Sequence, residues 1–302
     1  TASGSASVTM EGWSGSLVNT SRGLSMADSV ILSGSTELDN GMTVSMSFEL
    51  DSDNQSTSSS YDDESVTISS DTLGTVKFSG HGGSSATSAI DATAAGNIYD
   101  NFDGATSANG LTSAGVNLLA AGAGDNNIYY TLPSMVDGLS VSASLNTAGA
   151  TGNNALGFNV IYSGVEGLSL TYAQADIETG VASTSGDHTV MNASYAYGPV
   201  TVAYTNSDYD TGAANTRALA QEVTSYAISY TVSDAISLKY GTETIESGST
   251  SDVDAEYEGI TASYTAGGMT ISAKMIDAEN VAHGTAATED GEYWSLGLAF
   301  AF

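Results

Sequence analysis

The chain has 302 residues, but no cysteine, two prolines and five basic side chains. It also has no run of the roughly 18 apolar residues that a membrane-crossing helix requires. Without cysteine there is no thiol nucleophile, disulfide framework or cysteine metal site. This fits an exported bacterial protein held together by strand pairing. Without proline-rich, charged or low-complexity hinges nothing divides the sequence, so a single domain over 1–302 is expected. Transmembrane helices are excluded, which leaves β-strands as the only way across a bilayer. No basic, apolar leader precedes Thr1, which reads as a mature chain whose export signal has been removed.

The scarcity of basic residues is the most lopsided feature. Arg22, Lys77, Arg217, Lys239 and Lys274 face 35 acidic residues, for a formal net charge of −30. Nucleic acid is excluded as a partner, because neutralising phosphates takes Lys and Arg. Direct electrostatic attraction to anionic lipid is disfavoured for the same reason. Cations, divalent ones included, are the natural partners, and solubility in a saline habitat is the alternative reading of the charge.

What the chain does have is 34 glycines, 16 tyrosines and a period of two. Trp294, Leu296, Leu298, Phe300 and Phe302 occupy every second position of the final segment, with mostly small residues between them. Such alternation puts the large apolar side chains on one face of a strand. Val44, Met46, Phe48 and Leu50 repeat it, as do Leu156, Phe158, Val160 and Tyr162, and Tyr226, Ile228, Tyr230 and Val232. About sixteen such strands can be traced. Short, turn-like connections such as Asp39-Asn40-Gly41, Gly198-Pro199 and Ala266-Gly267-Gly268 alternate with long polar ones, the longest running from His81 to Asp125. Short turns at one end and long loops at the other are expected of an outer-membrane barrel. Tyr195, Tyr197, Trp294, Phe300 and Phe302 fall near strand ends, where an aromatic girdle meets the lipid boundary. The opposite face reads as Ser, Thr, Asn and Gly with scattered charges, which can line water and suits a watery interior.

With these features the chain resembles the general-diffusion porins of the alphaproteobacterial, Rhodobacter-like kind. The resemblance rests on the segments Ser35 to Val44, Gly124 to Ser134 and Asp137 to Val141, and on the terminal Phe302. It implies a sixteen-stranded antiparallel transmembrane β-barrel in the bacterial outer membrane. It further implies a homotrimer in contact with outer-membrane lipid and lipopolysaccharide. The third external loop, about 81–125, would fold inward as a constriction, and Phe302 would be part of the signal read by the barrel-assembly machinery.

Asp91, Asp100 and Asp103 are the acids of that loop, with Asp100 and Asp103 expected nearest the constriction. Their alternative role is to cap local turns. Porins of this kind set several basic residues opposite the acidic loop. Here parity with Val76 and Phe78 leaves Lys77 as the leading candidate, with Lys239 and Lys274 facing the lumen on later strands. Glu11, Glu37 and Glu49 face inward by the same parity, whereas Arg22 and Arg217 are expected in loops. The expected function is a passive, cation-preferring diffusion channel for small hydrophilic solutes and ions. Two alternatives are a substrate-specific channel, for which only Trp13, Tyr129 and Tyr293 offer lumen aromatics, and a calcium-binding acidic surface β-protein. No cofactor is required, and Asp100 and Asp103 are the carboxylates near which calcium would bind. An enzyme is not expected: His81, His188 and His283 are far apart and read as solvated loop histidines, without a metal or nucleophile motif around them.

Overall fold

The alternating segments close into a cylinder in the computed structural model, which describes residues 1–16, 22–51, 63–102, 126–147, 154–178, 185–210, 221–249, 253–281, 283 and 289–302. The first half of the sheet is β1 (Ala2–Gly15), β2 (Arg22–Glu37), β3 (Thr43–Asp51), β4 (Glu64–Ser70), β5 (Gly74–His81), β6 (Asn127–Thr131), β7 (Leu139–Thr147) and β8 (Asn154–Tyr162). The second half is β9 (Leu168–Glu178), β10 (Gly186–Tyr197), β11 (Val200–Asp210), β12 (Gln221–Ser233), β13 (Ile236–Ser247), β14 (Ala255–Ala266), β15 (Met269–Glu279) and β16 (Gly291–Ala301). Each strand pairs antiparallel with the next. β16 also pairs with β1, from Ser5 opposite Ala301 to Gly15 opposite Gly291. Closure leaves the described strands without an open edge, the condition for placing a sheet in hydrocarbon. Arg22 begins β2 opposite Gly12, so it belongs to a strand and not, as expected, to a loop.

The hairpin turns gather at one rim. Gly198 and Gly267 turn there with φ of 57° and 60°, the left-handed conformation that two-residue hairpins demand. The long connections leave from the other rim. Between the rims the outward face is apolar and bare: Leu24 is 70% exposed, Met26 68% and Met275 70%. A continuous band of that kind is untenable in water and natural in lipid.

The five expected girdle aromatics all lie on this outward face. Tyr195, Tyr197, Phe300 and Phe302 border the turn rim, while Trp294 lies toward the other. Tyr230 and Tyr264 join the turn-rim belt. Gly12, opposite Trp294, is what lets the indole lie flat on β1, since a Cβ there would come within 2.9 Å of its Nε1.

Near the long-connection rim of β11 to β16 the chemistry of the two faces inverts. The outward positions become acidic, in rows such as Asp208, Glu222 and Glu246, or Glu258, Asp277 and Glu292. The inward positions become apolar: Val223, Ile245, Tyr257, Ile276 and Tyr293 are buried together. The expectation of a mainly polar, watery interior is therefore corrected for this part of the wall. One quadrant of the inner wall supports a dry cluster, because a segment from the longest connection packs against it.

Candidate functional site: the lumen and its strap

The sequence from Ser84 to Phe102 is rich in Ala, Ser, Thr and Gly, small residues that let a backbone lie close to a wall. It forms a strap across the polar face of the barrel. Asn127 on β6 donates to the Ser84 carbonyl at 3.0 Å, and the Ala86 amide donates to Ser144 Oγ on β7 at 2.7 Å. Asn159 on β8 donates to the Ala86 carbonyl at 2.9 Å, and Asn192 on β10 to that of Ile90. The Ala95 amide donates to Ser225 Oγ on β12 at 2.9 Å. Trp13 on β1 closes the series through Nε1 to the Asn101 carbonyl at 2.8 Å. Backbone groups that a free loop would leave to water are thus met by side chains from much of the wall.

The strap ends in one 3-10 turn, Ile98–Phe102, whose apolar residues fill the dry quadrant. Phe102 is 1% exposed, with its ring centroid 5.6 Å from that of Tyr257 and 6.4 Å from that of Tyr293. Trp13 packs against Tyr293, with ring centroids 5.2 Å apart and planes tilted by 57°. Gly241 permits the closest approach, since a Cβ there would lie 2.6 Å from that of Ala95. Beside it on β13, the buried Glu243 accepts from the Thr93 hydroxyl and from the Tyr99 amide at 2.9 Å.

The charged residues expected in the lumen separate into groups. Asp91 and Asp100 both lie on the strap and near one another. Burial pushes the Asp91 carboxyl up to about 6 against the pull of a backbone hydrogen bond, and the Asp100 charge raises it further. Burial also raises Asp100, opposed by a hydrogen bond with Asn97 and by the Lys274 ammonium. Lys274 is on β15, and Lys239 on β13 reaches the strap with its Nζ 3.3 Å from where a Gly96 Cβ would sit. Lys77, the leading candidate from parity, faces inward but lines a separate recess with Glu49, Asp63, Ser79 and His81. Among the described residues the cation beside a strap acid is therefore Lys274, next to Asp100, while Lys239 lies against Gly96. Glu11 accepts from the Tyr293 hydroxyl at 2.8 Å, and Glu37 ends β2 opposite Thr43 at the turn rim. Asp103, Asp125 and Arg217 lie outside the described residues.

Two histidines depart from the solvated-loop expectation. His188 is an inward residue of β10, fully buried, with Nε2 2.9 Å from Ser207 Oγ and its ring edge-on to Tyr209. Its Nδ1 has no hydrogen-bond partner among the described residues, so no third group orients the ring toward Ser207. His283 is buried as well, with Nδ1 3.0 Å from the Val253 carbonyl. Among the described residues no group of three or more His, Asp or Glu is placed to hold a metal ion.

Solved porins share this architecture over their full length. The anion-selective porin from Comamonas acidovorans superposes with a TM-score of 0.73 at 16% identity, covering 100% of this chain and 99% of that one. A substituted form of the Rh. blastica porin gives 0.69 at 16% identity, with coverage of 100% and 99%. Salmonella typhi OmpF in complex with daunomycin gives 0.73 at 13% identity, with coverage of 100% and 97%. A comparison with curated proteins finds no match. At such low identities the structural likeness speaks for the fold, but the sequence profile of the Gram-negative porins matches residues 1–264. The chain therefore belongs to the Gram-negative porin family: it is a bacterial outer-membrane β-barrel and a passive diffusion channel.

Proposed function

We propose that this barrel is a cation-preferring general-diffusion channel for small hydrophilic solutes and ions, narrowed by the strap beside Asp91 and Asp100. The lumen charge carries the reading. Among the described residues Lys77, Lys239 and Lys274 are the inward cations, against Glu11, Glu37, Glu49, Asp91 and Asp100, with Asp103 further along the same connection in sequence. Carboxylates confined in a watery passage concentrate cations and repel anions, and added salt weakens the effect. Anion selectivity in the name of the Comamonas acidovorans protein is a property of that protein, and 16% identity leaves the lining free to differ.

The lumen aromatics favour general diffusion over a dedicated substrate path. Trp13, Tyr257 and Tyr293 pack against the strap, and Tyr129 takes a hydrogen bond from Asn159 at 2.9 Å. Liposome swelling should fall smoothly with solute size, for small sugars and amino acids alike. Saturable block of the ion current by one solute would replace this with a substrate-specific channel.

The proposed partners follow from the outer surface. The small outward residues Ala2, Gly4 and Ala6 of β1, with Leu32 and Val30 of β2 opposite the first two, suit close contact within a homotrimer. The acidic rows at the long-connection rim suit lipopolysaccharide phosphates bridged by divalent cations, calcium among them. The β16 strand ending in Phe302 is the segment proposed for the assembly machinery.

A further inference from the structure

Glu243 is 1% exposed, and the hydrogen bonds to both of its oxygens come from the strap. The wall groups that hold the rest of the strap, Asn127, Ser144, Asn159, Asn192 and Ser225, are neutral. A buried carboxylate makes stronger hydrogen bonds than a neutral acceptor, and losing it strands the donors it satisfied. Its partner Thr93 is itself a hub. The Thr93 hydroxyl accepts from the Gly96 amide at 3.0 Å and the Asn97 amide at 2.7 Å, and the Thr93 amide donates to Asn97 Oδ1 at 2.8 Å. Asn97 then takes a positive φ of 52° and sends the chain into the turn that carries Asp100. One wall carboxylate thus grips the turn on both sides: Thr93 before it and Tyr99 within it.

We infer that Glu243 is the positioning residue of the constriction: through Thr93 and the Tyr99 amide it fixes Asp100 relative to Lys274, and so sets both aperture and ion preference. The inference rests on the diffusion-channel reading. It predicts that Glu243→Ala, in a barrel that still shows heat-modifiable migration on gels, has a larger single-channel conductance and a shifted reversal potential in a salt gradient. Glu243→Gln keeps an acceptor for the Tyr99 amide but turns an NH2 donor toward the Thr93 hydroxyl, so it should lie between the unsubstituted protein and Glu243→Ala. Thr93→Val should shift both readouts in the same direction, and the double variant Thr93→Val with Glu243→Ala should change them by less than the sum of the two. If Glu243→Ala does not assemble, Thr93→Val and Glu243→Gln carry the same test. Unchanged conductance and reversal potential in Glu243→Ala or Thr93→Val, or additive effects in the double variant, would overturn the inference. An unsubstituted barrel that passes no ions would contradict the channel reading itself.

Discussion

Asp91 is the side chain whose charge depends most directly on the strap. Docking lifts its carboxyl to about 6 through burial, so the docked form holds a proton more tightly than a free aspartate does. The consequence for docking has a definite sign. Strap docking gains strength as pH falls from about 6 toward the ordinary aspartate value, and that gain is absent at neutral pH. The lumen meanwhile loses a negative charge. Cation preference should therefore decline between about pH 7 and about pH 5 without an opening of the pore. Asp91→Asn should show the low-pH preference at neutral pH and lose most of this dependence, as read from reversal potentials. Lys274→Ala should act in the opposite direction and raise cation preference, since it leaves Asp100 without its nearby ammonium. Parity in the sequence placed Lys239, Lys274 and Glu11 inward. It could not separate Glu243 from Glu49, because the difference is a contact with Thr93, 150 residues away.

At the scale of elements, the strands were legible and the strap's attachment was not. Val44, Met46, Phe48 and Leu50 announce β3 by alternation alone, and the short turns mark where hairpins close. The strap carries no period, since its order comes from wall side chains. A usable signal did exist at the long-connection rim. Val223, Ile245, Tyr257 and Ile276 stand on the inward parity just where Glu222, Glu246, Glu258 and Asp277 take the outward one. Apolar residues on the lumen side of a porin strand indicate something dry packed inside. Truncating the bulkiest fully buried side chain of the strap tests this. Phe102→Ala should weaken docking by about 3–5 kcal/mol, the usual cost of emptying a buried aromatic site. The amides of 98–102 should then lose hydrogen-exchange protection while those of the surrounding strands keep theirs. Gly241→Val should displace the strap through a clash at Ala95, giving a larger conductance from a barrel that still assembles.

For the whole molecule, three surfaces do three jobs. The apolar outer band, edged by aromatics at the turn rim and by acids at the other, fixes the barrel across the outer membrane. Closure of β16 on β1 removes the edge that lipid would leave unpaired. The inner wall divides between a dry quadrant that holds the strap and a polar remainder that holds water and charge. Among the described residues Glu11, Glu37, Glu49, Asp91 and Asp100 stand on the inner side against Lys77, Lys239 and Lys274, and the proposed cation preference rests on that balance. The most direct test is the reversal potential of the purified protein in a planar bilayer under a potassium chloride gradient. An acidic lumen predicts a potential whose sign marks potassium as the more permeant ion, shrinking as total salt rises. A potential of the opposite sign, marking chloride as the more permeant ion, would contradict it.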